Sequence, residues 1–248
     1  MPRFDPEIDH APESAGARSR GRMLVCCDDR FHPGADVRAG LAPLLASAVC
    51  EVDWLDGREF VEATDLRRYQ VVLLAKANVL SGADPRPWLE PGDTSFFDYV
   101  RGGGGLLVVH AGLAGHKQVP AMRAATGGAF VHHPPPCEVI VEPRAGHVLT
   151  AGVDASFSIF DEHYFVEVDV PDSAVFLTTR SVHGEQPGGW TRTEGAGRVC
   201  ALSPGHFSEV WLHPEFQKLL CNALRWLGFD IGSPPTCTRD GREVGDRE

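Results

Sequence analysis

Histidines follow three apolar segments of this sequence, at the point where each segment ends. His32 comes shortly after RMLVCC, His110 ends GLLVVH, and His206 follows GRVCALS. If these segments are parallel strands, their carboxyl ends meet at one edge of the sheet, where open α/β folds gather ligands. Imidazole is the commonest protein metal ligand and titrates near neutrality. The pattern therefore predicts a site at that edge for metal binding or for acid/base catalysis.

The segment around His110 has the shape of a sharp turn between a strand and a helix. In VVHAG at 108–112, small residues follow the histidine. Small neighbours permit the tight turn of a nucleophile elbow, which presents its central side chain at the top of the sheet. We therefore expect His110 to be catalytic or a metal ligand. The alternative is a histidine that only ends the strand and makes local hydrogen bonds.

Glu162 is the carboxylate that we expect to join these histidines. It lies beside His163 in a strand-like segment, so the two side chains should point to opposite faces. With His32, His110 and His206 it could hold a divalent metal such as zinc, manganese or iron, with a position open for substrate. No H-E-x-x-H or C-x-x-C spacing supports a metal. Metal-free acid/base catalysis by His110, Glu162 and His206 uses the same residues.

Two further residues are candidates for substrate binding. His132 and His133 are adjacent, so in an extended chain at most one faces a pocket, and we name His133. Trp190 stands in a glycine-rich approach, where it would flank a pocket unless it is a core residue. The glycine run at 102–105 has no Walker G-K-[ST] and precedes its strand. We therefore expect no nucleotide cofactor.

The elements that must position these residues alternate between strand and helix in the first half of the chain. Continuous apolar strands in such an alternation predict an α/β fold with a doubly wound, mostly parallel sheet. The second half is mostly strand-like and either extends this sheet or forms an antiparallel annex. The predicted strands are 22–27, 51–56, 71–76, 105–110, 138–142, 157–168, 174–180 and 197–203, and the predicted helices are 34–49, 93–102 and 213–228.

Composition narrows the class of ligand. Across 248 residues, 23 lysines and arginines against 34 acidic residues give a net charge of −11, which disfavours nucleic-acid and anionic-membrane partners. The seven cysteines show no paired spacing, which predicts neither disulfides nor a cysteine-based zinc site.

We expect one domain at 21–230 between flexible tails at 1–20 and 231–248. We also expect a cytoplasmic location and a small-molecule ligand, and a homo-oligomer stays open.

Taken in order, the motifs resemble those of the ThuA-like family, which is named for trehalose utilisation and belongs to the class I glutamine amidotransferase-like superfamily. The resemblance covers residues 22 to 228. The motifs that carry it are Phe31-His32, GGGGLLVVHAG, GGAFVHH, Gly146-His147, Asp161-Glu162-His163-Tyr164, Trp190-Thr191-Arg192, Ser203-Pro204-Gly205-His206 and Trp226.

The resemblance implies a three-layer, flavodoxin-like α/β/α domain in which the elbow cysteine of the amidotransferases has become His110. Glutamine hydrolysis is therefore not expected. It also implies a role with sugars, and it places His32, His110, Glu162 and His206 in a polar pocket, with His133 and His147 as less certain members. This chain departs from the family at Lys76 and Asn78, where some relatives carry histidine.

Together these observations predict an enzyme that acts on a carbohydrate or keto-sugar, by hydrolysis, isomerisation or elimination at a carbon acidified by a carbonyl. One alternative is a non-catalytic binding or regulatory domain that keeps the crevice. Another is a cysteine hydrolase that uses Cys26 or Cys27, which is disfavoured because both lie inside an apolar strand.

Overall fold

In the computed structural model, the residues described are 21–46, 48–56, 65–81 and 83–232. The predicted tail at 1–20 lies outside them, as does the part of the predicted tail at 231–248 that begins at residue 233. The strands in these ranges are Gly21–Cys26 (β1), Cys50–Leu55 (β2), Val71–Leu74 (β3), Gly105–Val109 (β4), Gly128–His132 (β5), Cys137–Pro143 (β6), Phe157–Asp161 (β7), Phe165–Val168 (β8), Val175–Ser181 (β9), Gly184–Glu194 (β10) and Gly197–Leu202 (β11). The α-helices are Gly34–Leu45 (α1), Ser95–Arg101 (α2), Pro120–Thr126 (α3), Ser208–Leu212 (α4) and Pro214–Trp226 (α5).

Nine strands form one sheet in the order β2-β1-β3-β4-β11-β10-β9-β6-β7. The first five are parallel to their neighbours, and the last four continue the sheet in antiparallel pairs. The predicted α/β fold with a parallel core is confirmed. The second half of the chain does extend the main sheet. Only β5 and β8 stand apart, as a two-stranded antiparallel sheet.

The helices cover both faces of the parallel strands, which gives the three layers. Alternate residues of β1 and β4 point to opposite faces, and almost all are apolar, because both faces are buried. Helices α1, α4 and α5 pack on one face. Helices α2 and α3 pack on the other. No helix among the described residues has the length and apolar character that a bilayer span requires.

The predicted strand at 157–168 is in fact two strands. Strand β7 ends at Asp161 and pairs with β6, whereas β8 begins at Phe165 and pairs with β5 in the small sheet. The break follows Asp161 and begins in the polar run Asp161-Glu162-His163, which the prediction from the sequence includes in a single strand. The intervening turn at 162–164 carries Glu162 out of the sheet.

Candidate functional site

Four side chains from separate parts of the chain meet at the carboxyl edge of the parallel strands. They are His32 after β1, His110 after β4, His206 after β11 and Glu162 after β7. Each offers one nitrogen or oxygen atom, and these four atoms lie within 4.8 Å of one another. The ring centroids of His32 lie 5.1 Å from His110 and 4.9 Å from His206. The structure thus brings together the three histidines that the strand ends predicted and the carboxylate that we expected to join them.

His110 is held in a strained and fully enclosed position. Its backbone φ is 44°, in the left-handed region that residues other than glycine rarely adopt. The residue is 1% exposed. The turn that follows it packs closely on β3, because a Cβ on Gly112 would overlap the carbonyl oxygen of Leu74. The ring Nδ1 lies 2.8 Å from the carbonyl oxygen of Ser203 and donates to it. In the neutral ring, Nε2 is therefore left with a free lone pair.

His32 is oriented in the same way by a carboxylate. Its Nδ1 lies 2.8 Å from Oδ1 and 2.9 Å from Oδ2 of the buried Asp29. A carboxylate only accepts hydrogen bonds, so Nδ1 carries a proton, and in the neutral ring the lone pair is on Nε2. Sequence reasoning missed Asp29, although its place three residues before His32 is visible in the sequence.

Three buried ring nitrogens at this site have no hydrogen-bond partner: Nε2 of His32, Nε2 of His110 and Nδ1 of His206. The latter two lie 3.4 Å and 3.2 Å from Oε2 of Glu162, without hydrogen-bond geometry. Buried polar atoms almost always find partners, so such a group needs an explanation. Three imidazole lone pairs and one carboxylate oxygen are a donor set that suits zinc, iron or manganese.

The electrostatics of the four groups are consistent with cation binding. Burial lowers the pKa of His110 to about 4, so this ring is neutral at pH 7. Burial alone would raise the pKa of Glu162, but His110 and His206 outweigh it and hold that pKa well below its usual range. For His206, burial acts to lower the pKa, and Glu162 reverses this and raises it. An ionised carboxylate therefore faces imidazoles that can bind metal once His206 loses its proton.

Asp161 fixes the position of His206 rather than lying on the surface. It is 1% exposed, and its carboxylate accepts hydrogen bonds from the backbone N–H groups of Gly205 at 2.8 Å and His206 at 3.0 Å. Burial raises the pKa of Asp161 to about 7. The alternation of buried residues along β7, which places Asp161 on the same face as Phe157 and Ile159, is the sequence signal for this role.

His133 lies on the solvent side of Glu162. Its Nε2 is 3.5 Å from Oε1 of Glu162, and its side chain is 34% exposed. Its Nδ1 donates to the carbonyl oxygen of Pro134 at 2.9 Å. The adjacent His132 stacks on Phe165 instead, with ring centroids 4.6 Å apart. As predicted, only one of the two adjacent histidines faces the site.

Comparison with known proteins identifies the family of this chain. The family model of ThuA, described as trehalose utilisation, matches residues 22–227. The chain belongs to the ThuA family. No curated protein matches the sequence.

Solved structures show the same fold for this ThuA-family chain. A ThuA-like protein from Parabacteroides merdae is 19% identical with a TM-score of 0.67, and the match covers 84% of this chain and 90% of that one. A ThuA-like protein from Bacteroides uniformis is 20% identical with a TM-score of 0.64, covering 88% and 95%. A β-galactosidase from Rahnella sp. R3 is 12% identical with a TM-score of 0.60, covering 85% of this chain and 32% of that one.

The prediction that Trp190 contacts substrate needs correction in this ThuA-family protein. The residue is entirely buried in the core, and its indole Nε1 donates to the carbonyl oxygen of Thr126 at 2.8 Å. A buried ring has no surface to offer to a ligand. His147 also lies apart, because its Nδ1 accepts from the backbone N–H of Leu149 at 3.2 Å and its ring stacks on Phe176.

The residues after β3 and the early cysteines do not join the site. Lys76 Nζ donates to the carbonyl oxygens of Asp28 and Leu80, so this strand end supplies no ligand. Cys26 and Cys27 are buried, and burial raises the pKa of both thiols, that of Cys27 to about 11. A thiol with a raised pKa is a poor nucleophile, which disfavours a cysteine hydrolase.

A small cavity adjoins the three histidines on the side of α1. Its volume is about 10 Å³, which is room for one water molecule. Asp36 and Trp211 also line it. A sugar ring cannot enter this cavity.

Proposed function

We propose that this ThuA-family protein is a cytoplasmic, divalent-metal enzyme that acts on a carbohydrate or keto-sugar at a carbon next to a carbonyl. The observation that carries the proposal is the set of three buried imidazole nitrogens without hydrogen-bond partners, which converge with Glu162. Hydrolysis, isomerisation and elimination all begin with proton removal at such a carbon or protonation of a leaving oxygen.

The metal would be held by His32, His110, His206 and Glu162. When bound, a divalent metal supplies Lewis acidity that polarises a substrate carbonyl or hydroxyl. The backbone strain at His110 and the carboxylate beside His32 fix two of these rings before a ligand arrives. This preorganisation lowers the cost of assembling the site.

His133 is the residue placed to move protons. Its Nδ1–H is engaged with Pro134, so the exchangeable position is Nε2, which faces Glu162 Oε1 at 3.5 Å. Its partial exposure lets it take a proton from a substrate carbon and release it to solvent.

The surroundings of the site favour a ligand with an apolar face. Phe31, next to His32, is 64% exposed, and Phe160, next to Asp161, is 62% exposed. Their rings belong to a chain of aromatic contacts that runs from Phe31 through His32 and His206 to Phe207 and Phe160. A sugar has a C–H face for such rings and hydroxyls for the polar centre. The family description, trehalose utilisation, supports the same substrate class.

Metal content and proton exchange test the proposal together. Purified wild type should carry close to one zinc, manganese or iron per chain. His206→Ala should lose it, whereas His132→Ala, which alters the adjacent histidine that stacks on Phe165, should keep it. With a panel of keto-sugars in D₂O, wild type should exchange the proton next to the carbonyl, as followed by NMR. Protein without metal after reconstitution would overturn the proposal.

A non-catalytic role is the second candidate, because the cavity of about 10 Å³ admits an ion or a water but no sugar. In that case the metal would be structural, and the crevice would bind a ligand without changing it. Sugars would then raise the melting temperature of the metal-loaded protein without exchange or turnover.

A further inference from the structure

We propose that Asp29 is a positioning residue that holds His32 in the tautomer able to bind the metal. The inference deepens the proposed function and depends on it. The structure shows no hydrogen bond or ion pair between Asp29 and the other three ligand residues, although the charge of Asp29 also helps to raise the pKa of His206. It acts through His32, to which both of its carboxylate oxygens bind.

The geometry of this pair fixes where the proton of His32 sits. Oδ1 and Oδ2 of Asp29 lie 2.8 Å and 2.9 Å from Nδ1, and a buried carboxylate in this position can only accept. With the proton on Nδ1, Nε2 must present its lone pair, and Nε2 is the buried atom that lacks a partner. A carboxylate behind a ligating histidine fixes ring orientation and raises ligand basicity.

Asp29 also connects two strand ends to the His32 ring through hydrogen bonds. Its Oδ1 accepts from the backbone N–H groups of Phe31 at 2.8 Å and His32 at 3.1 Å. Its Oδ2 accepts from the backbone N–H of Ala77, after β3, at 2.8 Å. These hydrogen bonds hold the Asp29 carboxylate in place. The loop after β1 and the residues after β3 thereby fix the orientation of the His32 imidazole.

Its neighbour Asp28 supplies a matched control. It lies in the same loop, and its Oδ1 accepts from the backbone N–H of Gly34 at 3.0 Å. Asp28 has a backbone φ of 70°, which asparagine tolerates well. The two aspartates thus differ in what they contact: Asp28 contacts the start of α1, and Asp29 contacts His32.

The decisive variant is Asp29→Asn. Asparagine keeps the size of the side chain but replaces one acceptor oxygen by an NH₂ group, so its one remaining oxygen cannot accept from both Ala77 and the Phe31–His32 pair. If its NH₂ turns toward Nδ1, the proton of His32 is driven to Nε2 and the ligand atom is lost. A purely structural carboxylate would leave the tautomer of His32 unchanged.

Zinc affinity and the ring tautomer are the two measurements. Competition with a chromophoric chelator at pH 7.5 should give a zinc Kd for Asp29→Asn that is about 10- to 100-fold weaker than for wild type, the usual effect of removing such a partner. Asp28→Asn should bind within about threefold of wild type. In the metal-free wild type, ¹⁵N NMR should show His32 protonated at Nδ1, with a mixture or the Nε2–H form in Asp29→Asn.

The outcomes separate this inference from the proposed function. Zinc bound by wild type, with equal affinity and an unchanged His32 tautomer in Asp29→Asn, would overturn the role of Asp29 alone. Wild type that binds no zinc, manganese or iron would overturn the proposed function. An Nε2–H form of His32 in the metal-free wild type would overturn the inference even if Asp29→Asn did not fold.

Discussion

The Nε2 atom of His110 lies 3.4 Å from Oε2 of Glu162, and neither atom has a proton to share at neutral pH. His110 is neutral because burial lowers its pKa to about 4, and its one ring proton is engaged with the carbonyl oxygen of Ser203. Two facing acceptors repel each other unless a cation lies beside them. A protonated His206, whose Nδ1 is 3.2 Å from the same Oε2, can supply that charge, and a bound metal can replace it once His206 loses its proton.

Glu162→Gln removes the negative charge from this pair while keeping the side-chain size. We expect metal content to fall from close to one ion per chain to less than a tenth, because a neutral amide is a weaker ligand. Added zinc should raise the melting temperature of wild type but not of Glu162→Gln. Glu138→Gln, which alters an exposed carboxylate on β6, should behave as wild type. Full metal content in Glu162→Gln would contradict the assignment.

Gly112→Ala tests the turn that presents His110. A Cβ at this position meets the backbone of Leu74 in β3, which cannot move without disturbing the parallel sheet. We expect a loss of about 2 kcal/mol in the free energy of unfolding, together with weaker metal binding. Gly92→Ala is the control, because nothing lies within 4 Å of a Cβ there. Urea denaturation of both variants measures the difference, and equal stability would count against the tight turn.

His133→Gln should impair proton transfer without releasing the metal. The ring lies on the solvent side of Glu162 and outside the four-residue donor set. On a substrate that wild type converts, we expect a drop in kcat of about 100-fold, within the usual range for loss of a general base. Metal content measured on the same preparation should stay near one ion per chain. A variant with wild-type kcat would remove His133 from the mechanism.

Phe31→Ala and Phe160→Ala test the apolar rim of the site. Both rings are largely exposed, so their loss should leave the free energy of unfolding within about 0.5 kcal/mol of wild type. If they contact the sugar, each variant should raise KM by about tenfold with little change in kcat. Val148→Ala, at another exposed apolar residue, is the control. An unchanged KM in both variants would place the substrate elsewhere.

His116 gives the protein a pH-dependent stability that is independent of substrate. The ring is buried, and burial lowers its pKa to about 4. In the unfolded chain the ring titrates near 6.5. Between about pH 6.5 and pH 4 the unfolded state therefore binds a proton that the native state does not bind. The free energy of unfolding falls as the pH drops through this range.

For the metal-free protein we expect His116 to contribute a loss of about 2 kcal/mol between pH 7 and pH 5. His116→Leu should remove that contribution, and His183→Ala, at an exposed histidine, should not. Urea denaturation at the two pH values measures it. The same pH dependence in His116→Leu as in wild type would show that other groups cause it.

Much of this site could be predicted because a buried strand and its carboxyl end can both be recognised within a few consecutive residues. Continuous apolar runs identify β1, β4 and β11 as buried parallel strands, and parallel strands bring their carboxyl ends to one edge. His32, His110 and His206 therefore converge in any right assembly of those strands. The small residues after His110 likewise indicate the sharp turn.

The sequence by itself determined the α/β class, the parallel core and the three histidines at its edge. Only the tertiary structure decided that Asp29 and Asp161 hold its rings in place and that Trp190 is a core residue. The spacing of apolar residues indicates which face of a strand is buried, but only over a few residues. The partner that a buried polar group finds across 44 residues, as Asp161 finds Gly205, depends on how distant strands and loops pack.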